Sequence, residues 1–174
     1  MLRESLEFRI RLMLGAVMAG LILSGAAVFL LESTFDLLGR LFGAGTALQA
    51  AGADSLAGWV LMVRNAIRET NSQYPFLAYA TDWLAFAHFI IAAAFIGALR
   101  NPARNIWVIT WGMAACLAVF PTAFIAGQIR GIPLSWQLFS CSFGFLAFFP
   151  LWLCRVYAVR LERLEAEETE RLNS

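Results

Sequence analysis

Four long apolar runs are the feature that most constrains the fold of this chain. They cover about residues 10–31, 83–99, 106–127 and 136–157. A helix needs about 20 mostly apolar residues to cross the ~30 Å hydrocarbon core of a bilayer. The second run is slightly short for this, unless its helix begins near Ala78. Because an open sheet in lipid would leave backbone groups unpaired, each run is predicted to be a transmembrane helix.

Composition also favours lipid as the solvent of this chain. Of its 174 residues, 60% are hydrophobic and only 14% are charged. A soluble domain holds about 45–50% apolar and about 25% charged residues, and one small globule could not bury the excess apolar surface. The 13 basic residues, all of them arginine, nearly balance the 12 acidic ones, which gives no case for nucleic-acid binding. We therefore expect an all-α membrane protein, a four-transmembrane-helix bundle that forms one domain over residues 1–174.

The distribution of arginine predicts the orientation of the spans. Most arginines lie at the start of span one or before it, in the short link between spans two and three, or at the end of span four or after it: Arg3, Arg9, Arg11, Arg100, Arg104, Arg155, Arg160, Arg163 and Arg171. The other two loops carry Arg40, Arg64, Arg68 and Arg130. Because loops rich in arginine stay in the cytoplasm, both termini are predicted to be cytoplasmic.

The start of the chain has a second interpretation, a secretory signal peptide. Basic residues precede an apolar run, and the triplet Ser24-Gly25-Ala26 could be a cleavage site. The apolar run continues to Leu31, however, and is then long enough to span a bilayer. We therefore favour a transmembrane helix here.

Small residues within the runs predict close helix packing, which is how helices associate in lipid. They recur at every fourth position as Ala16, Gly20 and Ser24, as Ala93 and Gly97, as Gly112 and Cys116, and as Ser140 and Gly144. Pro121 and Pro150 interrupt spans three and four and should bend them.

An extracytoplasmic insert, residues 32–82, separates spans one and two. Ser33 and Asp54 could each cap a helix, with a Gly/Ala-rich hinge at 43–52 between them. The second helix carries an apolar stripe formed by Leu56, Val60, Val63 and Ile67. The insert is predicted to be a helical lid or an interfacial helix, and a partner-binding surface is the alternative.

The C-terminal tail, residues 158–174, is predicted to extend span four as a solvated cytoplasmic helix. Glu167 and Arg171 have the i,i+4 spacing of a supporting ion pair. Leu161 and Leu164 are too few for a coiled coil.

Polar side chains within the spans are costly in lipid and are therefore candidates for a functional site. The topology places seven polar residues, within the spans or just beyond their outer ends, near the outer surface and beneath the insert: Asp82, His88, Thr122, Gln128, Arg130, Gln137 and Cys141. Span two enters the membrane at Asp82, which puts His88 about 9 Å deep at 1.5 Å per residue. We predict an outer polar layer and expect His88 to bond a hydroxyl or carbonyl of a neighbouring helix.

The chemistry of this layer is limited. One histidine, one cysteine and one aspartate lack the spacing of a metal site, and a haem with two histidines is excluded within one chain, although a His/Met pair is not. A nucleophile formed by Cys141 and His88 is conceivable, but a thiol in apolar surroundings is usually unreactive. The sequence identifies no catalytic residue, no metal ligand and no cofactor.

Three segments carry a resemblance to known proteins: Tyr79 to His88, Arg100-Asn-Pro-Ala-Arg104-Asn and Arg130-Gly-Ile-Pro133. In these the chain resembles a group of small bacterial inner-membrane proteins to which no function is attached. The resemblance covers roughly the C-terminal hundred residues. It implies a bacterial inner (plasma) membrane and no activity.

The sequence favours a non-enzymatic accessory, assembly or sensing component of a membrane complex. Its expected partners are the lipid bilayer and either other membrane subunits or further copies of the chain. One alternative is a small-ligand binder or transporter that uses the outer polar layer. Another is a membrane redox or metal-dependent enzyme.

Overall fold

The computed structural model describes residues 2–42 and 54–173, and within these ranges the chain forms helices and no strand. In chain order the helices are α1 (Leu2–Phe29), α2 (Leu31–Phe42), α3 (Asp54–Gln73), α4 (Pro75–Ala94), α5 (Ile96–Arg100), α6 (Ile106–Ile129) and α7 (Leu134–Asn173). Four described segments are long and apolar enough to cross a membrane: Arg3–Phe29, Pro75–Arg100, Ile106–Ile129 and Leu134–Leu172. The predicted fold class, an all-α membrane protein with four transmembrane helices and a helical insert, is confirmed. The predicted hinge at 43–52 lies outside the described residues.

The second span begins earlier in the chain than predicted. Its helix, α4, starts at Pro75, so the insert ends at Tyr74 and not at residue 82. Proline suits the first turn of a helix, because its φ angle is already helical and the missing N–H would have no partner there. The Tyr74 N–H bonds the Thr70 carbonyl oxygen at 2.7 Å, and the Leu77 N–H bonds the Tyr74 carbonyl oxygen at 3.0 Å. α3 and α4 are therefore joined through one residue.

The first helix of the insert also begins differently. α2 follows α1 after the single turn residue Leu30, and Ser33, predicted to be its N-cap, lies inside the helix. The Thr34 hydroxyl donates to the Ala27 carbonyl oxygen at 2.9 Å and so bonds α2 to the last turn of α1. The second helix of the insert begins at Asp54 itself, one residue earlier than a cap at Asp54 would place it.

The chain divides into two compact units, Met1–Gly20 with Ile91–Ser174, and Leu21–Ile90. In the first unit, α6 and α7 meet at glycines where no side chain would fit. A Cβ atom added to Gly144 would lie 2.9 Å from the carbonyl oxygen of Cys116. A Cβ atom added to Gly112 would lie 2.6 Å from Cζ of Phe95 and 3.2 Å from Cδ1 of Leu151. These glycines belong to two of the predicted small-residue ridges, whereas a Cβ atom on Gly20 would meet nothing within 4 Å.

The start of α1 packs along the end of α7. The Cys154 thiol lies 3.7 Å from the Ile10 carbonyl oxygen, and the Arg3 guanidinium lies 3.1 Å from a carboxylate oxygen of Glu165. Ala158 and Leu161 are buried on the same helix. α7 runs through Pro150 to Asn173, so the tail is helical as predicted. It is not wholly solvated, because its first residues form this α1–α7 seam.

The seam makes a prediction for cross-linking. A cysteine pair made by Arg3→Cys with Glu165→Cys should be joined efficiently by a short bismaleimide, since the two native side chains are in contact. The native cysteines should not interfere, because Cys116, Cys141 and Cys154 are buried. The matched control is Arg3→Cys with Glu167→Cys, since two residues turn an ideal helix by about 200°. Equal cross-linking of both pairs, measured by gel mobility after cleavage of the α6–α7 loop, would contradict the seam.

Candidate functional site

The seven residues of the predicted polar layer are divided between the two compact units. Asp82 and His88 belong to the unit Leu21–Ile90. Thr122, Gln128, Arg130, Gln137 and Cys141 belong to the other unit. Within each unit, no hydrogen bond joins two of these residues in the described part of the chain. The outer polar layer therefore stays a prediction, and the surroundings of each residue are described by unit.

Among the described residues, His88 bonds its own helix and not a neighbouring one, which differs from the expectation from sequence. Its Nδ1 atom lies 2.8 Å from the Leu84 carbonyl oxygen, one turn earlier in α4. Since a carbonyl oxygen can only accept, Nδ1 carries the hydrogen in this contact. A Cβ atom added to Gly25 of α1 would lie 3.0 Å from the His88 Cβ and 3.1 Å from the Ala85 carbonyl oxygen. The base of the His88 side chain is thus held in a close contact between α1 and α4. Asp82, two turns earlier, is partly exposed.

Thr122 also bonds the backbone of its own helix. Its hydroxyl donates to the Ala118 carbonyl oxygen at 2.7 Å, directly after Pro121, which lacks the N–H that would have bonded the Leu117 carbonyl. Threonine side chains commonly bond the carbonyl four residues earlier, especially in lipid, where an unpaired hydroxyl is costly. Gln128 and Arg130, at the end of α6, are both exposed.

Gln137 has the most confined polar side chain in the set, with only 3% of its surface exposed. Its Nε2 donates to the Ile132 carbonyl oxygen at 2.7 Å, and its side chain lies directly against the Cα atom of Gly127. Gly131, at φ 65°, turns the chain between α6 and α7. The Gln137 Oε1 atom is buried and accepts no hydrogen bond from the described residues. Gln137 therefore closes the α6–α7 turn, and Cys141 is buried one turn further along α7.

A charged cluster that was not predicted from the sequence joins the two helices of the insert. Asp36 of α2 accepts from Arg64 at 2.6 Å and from Arg68 at 2.7 Å, both on α3. Glu32 lies 3.6 Å from Arg68 and accepts from Asn71 at 3.5 Å. We call these five residues the α2–α3 cluster. Its signal was present in the sequence, because two carboxylates and two guanidinium groups each recur at i,i+4 spacing on facing helices.

The Asp36 carboxylate gives this cluster a defined pH dependence. The hydrogen bond from Arg64 is the main cause that lowers the pKa of Asp36 below its ordinary value, and Arg68 adds to it. Because the folded pKa lies below the unfolded one, the contribution to stability is complete above about pH 4 and is lost as the pH falls through the folded pKa. We expect carbon-13 NMR of the carboxyl group to show this lowered pKa. Arg64→Gln should raise the pKa more than Arg68→Gln does, and the reverse order would contradict the assignment.

In the described ranges, no three histidine, cysteine, aspartate or glutamate side chains lie close enough together to bind a metal ion. Comparisons of the chain with protein-family models, with curated proteins and with solved structures find no match.

Proposed function

We propose that this multi-pass membrane protein is a non-enzymatic accessory, assembly or sensing component of a larger complex in a bacterial inner membrane. Four transmembrane helices support the membrane setting, and the resemblance to small bacterial proteins supports the choice of membrane. Its expected partners are other membrane subunits. The proposal depends on how the polar groups within the spans are used.

The observation that carries the proposal is that these groups bond nearby backbone. His88 bonds the Leu84 carbonyl, Thr122 the Ala118 carbonyl and Gln137 the Ile132 carbonyl. Catalytic groups need to reach a reacting atom, with a base or acid held at hydrogen-bond distance from the proton that it moves. Polar side chains that satisfy backbone carbonyls instead stabilise helices and turns. The polar side chains of the spans are thus placed to stabilise the helices and the turn between them.

The mass and subunit content of the particle that the protein forms in its native membrane test this function. The chain, tagged and expressed at its native level, is extracted with its surrounding lipid by a styrene–maleic acid copolymer, and the particle mass and subunit content are measured. We expect a discrete particle that contains other membrane subunits in fixed ratio, much heavier than the 19.2 kDa chain. Overexpression is the control, since it should saturate those subunits and add a second particle of the chain alone. A particle that contains only this chain at native level would overturn the proposal.

The proposed orientation places both termini in the cytoplasm. Arginine is concentrated at the termini and in the 100–105 link, which supports this orientation. Two of the remaining arginines, Arg64 and Arg68, are paired with carboxylates in the α2–α3 cluster. We expect a green fluorescent protein fused after residue 174 to fluoresce and an alkaline phosphatase fused there to be inactive. The opposite result at this terminus would reverse the orientation without bearing on the accessory role.

A further inference from the structure

One face of α7 carries an open groove of about 420 Å³. Its lining consists of three arginines and two valines: Arg155, Val156, Val159, Arg160 and Arg163. On a helix, residues three or four apart are neighbours on the same face. Val156 and Val159 therefore form an apolar floor, and the guanidinium groups surround it.

The groove has a strong positive charge that nearby carboxylates do not neutralise. No acidic residue lines it. Within residues 2–42 and 54–173, Arg160 and Arg163 form no ion pair, unlike Arg3, Arg64 and Arg68. The Arg155 Nε atom donates to the Thr110 hydroxyl at 3.2 Å, which fixes this side chain beside α6 and leaves its terminal amino groups available. The next carboxylate on this side, Glu167, lines a separate groove with Arg163.

The position of the groove along α7 indicates what could occupy it. The apolar part of the helix ends here, with Trp152 exposed just before Arg155 and Tyr157 within the next turn. Tryptophan and tyrosine favour the boundary between hydrocarbon and headgroups. The arginines therefore lie at headgroup level and the valines at the adjoining edge of the hydrocarbon. An occupant needs a negatively charged head and an apolar chain.

We propose that this groove binds an anionic phospholipid, with its phosphate held by Arg155, Arg160 and Arg163 and an acyl chain lying on Val156 and Val159. Guanidinium groups present paired N–H donors that match the oxygens of a phosphate. The apolar floor distinguishes a lipid from a free phosphate ion, which would gain nothing from the valines. The site concerns the chain itself and does not depend on which complex the protein joins.

The binding of added lipid to the purified, delipidated protein tests the proposal. Native mass spectrometry measures binding of phosphatidylglycerol and, for comparison, of phosphatidylcholine. We expect clear preference for phosphatidylglycerol in the wild type. The double variant Arg160→Gln with Arg163→Gln should bind it about 30-fold more weakly, which corresponds to about 1 kcal/mol for each arginine near a lipid surface. Inorganic phosphate at millimolar concentration should not displace the lipid.

The matched control removes two exposed arginines that belong to neither the groove nor the polar layer, Arg40→Gln with Arg104→Gln, and so has the same net charge as the test variant. The control should retain wild-type binding, and circular dichroism should show native helix content in both variants. Equal losses in the two variants, equal binding of both lipids by the wild type, or displacement by inorganic phosphate would each overturn the proposal. A glutamate-rich peptide that binds the groove and is not displaced by phosphatidylglycerol would assign it to an acidic protein segment instead.

Discussion

Gly144→Val is expected to lower the free energy of unfolding by about 3 kcal/mol, at the upper end of the range for overpacked sites. Its Cβ atom would lie 2.9 Å from the Cys116 carbonyl oxygen and 3.3 Å from the Cβ of Val119. A backbone oxygen cannot rotate away as the end of a side chain can, so α6 and α7 would have to separate. Thermal unfolding in detergent should show a midpoint lower by about 6–12 °C, taking about 2–4 °C per kcal/mol for a chain of this size.

The control for this prediction is the same change at a glycine with free space. A Cβ atom added to Gly20 would meet nothing within 4 Å. Glycine and valine differ little in helix propensity, so Gly20→Val should change the free energy of unfolding by less than about 0.5 kcal/mol. If the two variants lost similar stability, the cost would come from valine in a transmembrane helix, and the close approach at Gly144 would not be supported.

Asp36→Arg should open the α2–α3 pair while leaving the transmembrane helices folded. The substitution replaces the carboxylate that both Arg64 and Arg68 contact with a third positive charge. Like charges brought together in a packed contact repel, and partly exposed contacts of this kind open locally without global unfolding. We expect amide hydrogen exchange in α2 and α3 to become about tenfold faster or more, with little change in α6 and α7.

Two further variants separate this effect from a general change of charge. Glu69→Arg makes the same change of charge on the exposed face of α3, where the carboxylate has no described partner, and exchange should stay near the wild-type rate. Adding Arg64→Asp to Asp36→Arg restores an opposite-charge pair and should slow exchange again. If Glu69→Arg accelerated exchange as much as Asp36→Arg, the α2–α3 cluster would not be the contact that joins the helices.

The spans were predictable because lipid imposes one strict requirement, a long apolar helix, and four runs meet it. Boundaries were less predictable. The helix α4 begins at Pro75, and its first turns carry the exposed apolar side chains Phe76, Leu77 and Tyr79. The charge of Asp82 had suggested that the span begins at residue 83. Ser33 has the chemistry of a cap, but the backbone of α1 continues almost directly into α2. Local capping signals were thus outweighed by the continuity of the chain.

The polar candidates were harder to interpret, because sequence gives depth in the membrane and not bonding partners. His88 was expected to bond a neighbouring helix, yet the nearest acceptor is the Leu84 carbonyl on its own helix. Leu161 and Leu164 were judged too few for a coiled coil, yet Leu161 is buried in the folded protein, with 1% of its surface exposed. Such contacts depend on which helices are neighbours, and the positions of the apolar runs do not specify this.

The α1–α7 seam joins two segments that are far apart in the sequence. Arg3 and Glu165 are 162 positions apart, so the seam cannot close until α7 has been synthesised. Until then Ile10 and Leu14, which are fully buried in the folded protein, lack their cover from α7. A chain that is released before α7 is made would leave Ile10 and Leu14 uncovered on α1, and this apolar face would be open to a membrane protease.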